Sequence, residues 1–146
     1  MGINIAFFKG MRNYQKINHF PDMHLITRKN TLAASLKKIA RFMPSEFQFF
    51  PDTWVMPHER YELEAHVAEL QGREEFYIVK PERGCQGRGI YIVNKITDIP
   101  LDTNIVVQKY VDRPFLIDGY KFDLRIYVLV TRVNPLRVFL YKEGMA

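Results

Sequence analysis

The 146 residues contain a single cysteine, Cys85, so an internal disulfide framework is excluded and a reducing compartment is expected. No apolar run approaches the ~20 residues that a membrane-crossing helix needs, so a membrane partner is not expected. MGINIAFFKGMR has no charged segment ahead of its short apolar run and makes a poor signal peptide. Gly2 follows Met1, but the sixth residue is Ala6 rather than Ser or Thr, against myristoylation. His19, His24, His58 and His66 show no metal-ligand spacing, and no metal site is expected among these residues. Aromatic and basic residues interleave without any RNP-like motif, so nucleic acid is not the expected partner. Internal repeats and low-complexity segments are absent.

What is present is the composition of one domain able to bury a core: 47% hydrophobic, 14% aromatic and 25% charged residues. The net charge of +5 fits either a mildly basic soluble protein or one with an anionic partner.

The most informative stretch is Phe76 to Val93, FYIVKPERGCQGRGIYIV. FYIV and IYIV are rich in β-branched and aromatic residues and read as strands. Between them lie Lys80, Pro81, Gly84, Gly87 and Gly89. Glycine allows positive φ and close approach of backbone N–H groups to an anion, and lysine adds a point charge. The loop is therefore either a phosphate cradle or a tight hairpin whose glycines serve only the turn. It lacks the Gly-Lys-Ser/Thr ending of a P-loop. Its order, G-x-x-G-x-G followed by a strand, departs from the dinucleotide fingerprint. The HRD and DFG sequences of protein kinases are missing. Lys80 ahead of the loop suits the ATP-grasp arrangement.

Elsewhere, Leu32, Leu36, Ile39 and Met43 recur at helical spacing, with Lys37, Lys38 and Arg41 opposite. This predicts an amphipathic helix capped by Thr27 or Asn30 and ending before Pro44. Phe47, Phe49 and Phe50 predict a loop turning into a short buried strand that TWVM, Thr53 to Met56, continues, with Trp54 in the core. Pro57 suits the first turn of a second helix running to Gly72. NIVVQKYV, Asn104 to Val111, reads as a buried strand, and Asp118–Gly119 as a turn. YKFDLRIYVLVT is the longest strand candidate. Alternation would place Phe122, Leu124, Ile126, Val128 and Val130 on one face and Lys121, Asp123 and Arg125 on the other. That charged row is either a solvated face or a ligand edge. A turn at Asn134–Pro135 leads into LRVFLY.

INHFP, KPERGCQGRGIYI, QKYV and IDGYKFDLRIYVLV followed by PLRVFLYKEG resemble the tubulin tyrosine ligase-like family, its polyglutamylase branch above all. The resemblance runs from about Tyr14 to Ala146. It implies an α+β, ATP-grasp-like fold, with residues 14–111 as the central subdomain carrying the ATP lid and 112–146 as the start of a C-terminal subdomain. It implies ATP-dependent ligation of glutamate to the acidic C-terminal tails of tubulin, through an acyl-phosphate and an isopeptide bond. The expected place of work is the cytoplasm, on microtubules, at a cilium or basal body.

By motif, Lys80 would contact ATP phosphates, and Gln86 and Gly87 would belong to the lid. Gln108, Lys109, Tyr110 and Val111 would bind adenine, partly through backbone groups. Lys121 and Asp123 would meet the ribose and phosphates, and Arg125 would orient substrate. The arginine that follows EG-x-A in the family, and the acidic and Asn residues that hold Mg²⁺, lie beyond Ala146. No catalytic residue is assigned, and this stretch alone is expected to lack ligase activity. The other readings are a non-catalytic module docking on microtubules through its basic surface, and a fragment that does not fold stably.

Overall fold

A computed structural model describes residues 5–84 and 86–146. Cys85, read from sequence as a small loop residue, lies outside them. The chain separates into two units, Met1–Val111 and Asp112–Ala146.

The first unit is a four-stranded antiparallel sheet with helices on it. In chain order come α1 (Ile5–Lys9), α2 (His24–Thr27), α3 (Lys29–Ala40), β1 (Thr53–Val55), α4 (Arg60–Glu69), β2 (Tyr77–Pro81), β3 (Tyr91–Val93), a 3-10 turn at Ile96–Asp98, and β4 (Ile105–Lys109). The strand order is β1-β4-β2-β3, so β4 runs through the interior of the sheet although it is last in sequence. Tyr77 pairs with Val93 and Val79 with Tyr91 in the β2–β3 hairpin. On the other side Tyr77 faces Lys109, Ile78 faces Gln108 and Val79 faces Val107.

Alternation along the strands sorts the two faces. Trp54, Tyr77, Val79 and Val107 point into one core with Met56, Leu63, Ile99 and Leu101, and Val67 and Ile96 pack against it. Val79, Val107 and Leu63 are fully buried. Thus α4 and the 3-10 turn cover that face. α3 packs against β1 and β4 and buries Ala33, a residue small enough to bring its backbone close.

Several expectations need correction. α3 starts at Lys29 with Arg28 as its N-cap, and the Arg28 side chain makes no capping bond. The Asn30 side chain, one position inside the helix, accepts from the Thr31 N–H at 2.8 Å and donates from Nδ2 to Glu82 Oε1 at 2.9 Å, while the Thr27 hydroxyl donates back to the Met23 carbonyl. α4 begins at Arg60, not at Pro57, because residues 56–59 form a turn ahead of it. Phe47, Phe49 and Phe50 form no strand. They stack on one another, and Phe49 is 70% exposed, while Trp54 turns instead to His66 and Tyr77.

The largest correction lies in the second unit. Its only extended pair is the hairpin of β5 (Val128–Val133) and β6 (Leu136–Leu140), joined through Asn134–Pro135. The strand expected from Tyr120 onward starts only at Val128. Lys121 and Asp123 lie in irregular chain, and Arg125 makes a single bridge to Met145. Over Lys121 to Tyr127 the backbone pairing is limited to the Arg125–Met145 bridge and one bond from the Tyr141 N–H to the Tyr127 carbonyl, and β-propensity without a continuous ladder does not make a strand. The turn at Asp118–Gly119 is present. Both residues take positive φ, 51° and 81°, as a type I′ turn requires, and Ile117 and Tyr120 exchange hydrogen bonds across it.

Candidate functional site

β2 delivers Lys80 to the sheet face opposite Tyr77 and Val79. Gln108 sits on the same face of β4, one position along the diagonal. Lys80 Nζ donates to Gln108 Oε1 at 2.6 Å, Gln108 Nε2 donates to Thr53 Oγ1 at 2.8 Å, and the Thr53 hydroxyl donates to the Pro51 carbonyl at 2.7 Å. This relay crosses three strands and fixes the direction of the Gln108 amide.

The loop above it takes the conformation its glycines permit. Gly87 and Gly89 have φ of 73° and 71°, and Gln86, between Cys85 and Gly87, is also at positive φ. A Cβ added at Gly84 or Gly89 would come into contact with the Pro81 ring at 3.4 Å, so both glycines lie back against the end of β2. Gln86, Gly87 and Arg88 are exposed.

Lys29 was not singled out by sequence reasoning. Its Nζ donates to the carbonyls of Pro81 at 3.3 Å and Gly84 at 3.1 Å, which ties the loop to the first turn of α3. Asn30 adds its bond to Glu82. One signal was present in the sequence: a lysine opens α3 with no acidic residue in its first turn, where the helix dipole disfavours a cation.

Burial pushes the Lys80 ammonium below the ordinary lysine range, and the charge of Lys29 pushes in the same direction. The partner of Lys80 is a neutral amide, and those of Lys29 are neutral carbonyls. Neither lysine forms an ion pair among the described residues. A half-buried ammonium beside a second cation is stabilised by an incoming anion. The charges of Lys80 and Lys29 act on each other at the end of β2, and Lys29 is held by the carbonyls that open the glycine loop.

The next residue of β4 faces the other way. Lys109 Nζ pairs with Glu75 Oε1, whose other oxygen accepts from His66 Nε2 at 2.9 Å. The Lys109 side chain therefore does not join Lys80 and Gln108. Its backbone N–H donates to the Asp52 carbonyl at 2.8 Å, and that of Tyr110 to Phe76 at 2.7 Å. Val111 is exposed.

Lys121, Asp123 and Arg125 belong to the second unit and are exposed. Arg125 and Met145 exchange backbone hydrogen bonds of 2.7 and 3.2 Å. Gly144 passes so close to the Arg125 carbonyl that a Cβ there would overlap it. No group of three or more His, Cys, Asp or Glu side chains able to hold a metal ion occurs among the described residues. No described helix is long and apolar enough to cross a membrane.

The family model for the tubulin-tyrosine ligase family matches residues 9–146. Over 136 residues the chain is 46% identical to the tubulin polyglutamylase TTLL6 of Mus musculus, covering 93% of this chain and 16% of that protein. It is 44% identical over 135 residues to a probable beta-tubulin polyglutamylase of Tetrahymena thermophila, covering 92% and 11%. With the tubulin polyglutamylase TTLL7 of Mus musculus it shares 42% identity over 137 residues, covering 92% and 15%. The chain thus spans between 11% and 16% of the length of these relatives.

Proposed function

Because the chain belongs to the tubulin-tyrosine ligase family, we propose that it carries the ATP-binding portion of a tubulin glutamate ligase, with an ATP-grasp-like arrangement of its first unit. The observation that carries the reading is that Lys80, bonded to the Gln108 amide, and Lys29, bonded to carbonyls at Pro81 and Gly84 beside the glycine loop, act on each other with neither held in an ion pair among the described residues.

In this reading Lys80 and Lys29 hold the phosphates, and Gln86 and Gly87 lie in the lid over them. Gln108 to Val111 present the edge that meets adenine. Lys121 and Asp123 meet the ribose and phosphates, and Arg125 orients substrate. When bound, ATP would supply a phosphoryl group to a carboxylate, leaving ADP, and the amine of an amino acid would then displace phosphate from the acyl phosphate to form an isopeptide bond. A catalytic Mg²⁺ would neutralise the charge that develops in that step. Among the described residues no cluster is assigned to it. The proposed partners are glutamate and the acidic tails of tubulin, which the net charge of +5 favours. The proposed setting is the cytoplasmic cytoskeleton.

Calorimetric titration of ATP into the wild-type chain and into Lys80→Ala tests the reading. Loss of one charge-assisted contact is expected to weaken binding about tenfold or more. Equal affinity in both proteins, or no binding to either, would sink it.

A further inference from the structure

Gln108 and Lys109 are consecutive, yet their side chains are held on opposite faces of the sheet. Gln108 is fixed through Lys80 and Thr53. Lys109 is fixed through Glu75, which lies just ahead of β2 and is 85% shielded from solvent at its side chain, against 42% exposure for Lys109. Glu75 is in turn held by His66 of α4, and the Tyr77 hydroxyl donates to the same carboxylate oxygen at 3.5 Å. The His66 ring packs on Trp54 with centroids 4.8 Å apart, so the network is anchored in the hydrophobic core. Main-chain bonds from the Lys109 N–H to the Asp52 carbonyl and from the Tyr110 N–H to the Phe76 carbonyl hold the two successive peptides on either side of Lys109. An ionised carboxylate accepts only, so Glu75 can gather Lys109, His66 and Tyr77 at once.

We infer that the Lys109 side chain is a positioning group rather than a nucleotide ligand: Glu75, with His66 behind it, draws Lys109 down and so sets the Gln108–Val111 edge at one height and orientation. The inference rests on the proposed nucleotide site and names what holds that site's base-facing edge. A rigid edge discriminates between bases, because a purine whose donors and acceptors do not match leaves polar groups unpaired. A lysine that touched phosphate would not discriminate.

The test uses the full chain with ATP, GTP and inorganic tripolyphosphate as probes, in the wild type, Lys109→Met, Lys109→Arg, Glu75→Gln and the Glu75→Gln/Lys109→Met pair. Lys109→Met and Glu75→Gln are each expected to weaken ATP about fivefold and to narrow the ATP-to-GTP preference. The double variant should be no weaker than either single one, Lys109→Arg should recover most of the loss, and tripolyphosphate affinity should stay unchanged in all. A further loss when Lys109→Met is added to Glu75→Gln would show that Lys109 touches the nucleotide and would overturn the inference. Where the wild type binds ATP, single variants with unchanged affinity and preference would overturn it as well.

Amide exchange separates this inference from the nucleotide reading. Glu75→Gln and Lys109→Met should speed exchange at Lys109 and Tyr110 and leave Val79 and Val107 unchanged. Unchanged exchange at Lys109 and Tyr110 overturns the positioning role whether or not ATP binds. Faster exchange in a wild-type chain background that binds no ATP supports the positioning role and removes only the nucleotide reading. Because Lys109 is partly exposed, Lys109→Met keeps the test readable should Glu75→Gln fail to fold.

Discussion

The two units use similar residues to opposite effect. β2 and β4 of the first unit bury Tyr77, Val79, Val106 and Val107 almost completely. β5 and β6 of the second are at least as apolar, yet Leu129, Leu136, Phe139 and Leu140 are all more than half exposed, and no residue of 112–146 is buried. The difference is cover. The first sheet has α3 on one face and α4 with the 3-10 turn on the other. The hairpin has two strands and no layer of its own, an architecture that is marginal in water. Apolar residues on both faces of β5 and β6 are the pattern of strands buried on both sides. β-propensity thus describes what a strand can pack against and leaves open whether anything does.

Leu63→Ala should break the contrast most sharply if it is wrong. Leu63 is fully buried between α4 and the sheet, so truncation should cost about 3 kcal/mol, whereas Leu136→Ala in the bare hairpin should cost about 0.5 kcal/mol or less. Denaturant unfolding of the two variants measures both, and similar losses would mean that the hairpin is covered in solution.

Gly144→Ala probes the second unit from inside. The added methyl meets the Arg125 carbonyl, so the Arg125–Met145 bridge should open at a local cost of about 1–2 kcal/mol. Faster amide exchange at Arg125 and Met145, with the global melt unchanged, is the expected result. A lowered melt would show that the second unit unfolds together with the first.

Smaller effects come from titration within the first unit. Burial pushes the Glu75 carboxyl up, but hydrogen bonds from Lys109 and His66 outweigh it and hold the group below the usual carboxylate range. Its stabilising contribution should be complete at neutral pH and fall away as pH drops through that lowered value. Melting Glu75→Gln beside the wild type from pH 7 to 3 should show a gap that closes in acid. A constant gap would contradict the ion pair.

At the alkaline end, burial and then the charge of Glu75 push the Tyr77 phenol up to about 12. With the folded value above the unfolded one, that stability is present below pH 10 and lost as pH rises toward 12. Phenolate absorbance should show a last phase that Tyr77→Phe removes. Its persistence in the variant would assign the phase to another tyrosine.

Legibility from sequence followed the range of the interactions. The glycine hairpin, β4 and the Asp118–Gly119 turn were readable because neighbouring residues decide them: β-branched runs, glycine at positive φ and a two-residue turn. Lys80 and Gln108 were marked by motif, and the structure brings them together. Lys29 offered only the oddity of a cation in the first turn of α3, because its partners lie 52 and 55 residues away and no spacing rule links them. Glu75 and His66 were missed for the same reason, since each looks like an ordinary polar residue until β4 is threaded between β1 and β2. The long strand failed at Lys121 to Tyr127 because alternation says which residues share a face and nothing about a partner strand.

The tether between Lys29 and the glycine loop also bears on the order of folding. Hairpin β2–β3 closes over a short stretch of chain, but the loop at its tip gains its fixed shape only when a helix more than 50 residues upstream has docked. Closing so long a separation is entropically slow compared with turn formation. The loop should therefore be among the last parts of the first unit to become resistant to protease, which makes cleavage near Arg83 or Arg88 a gauge of whether the whole unit has assembled.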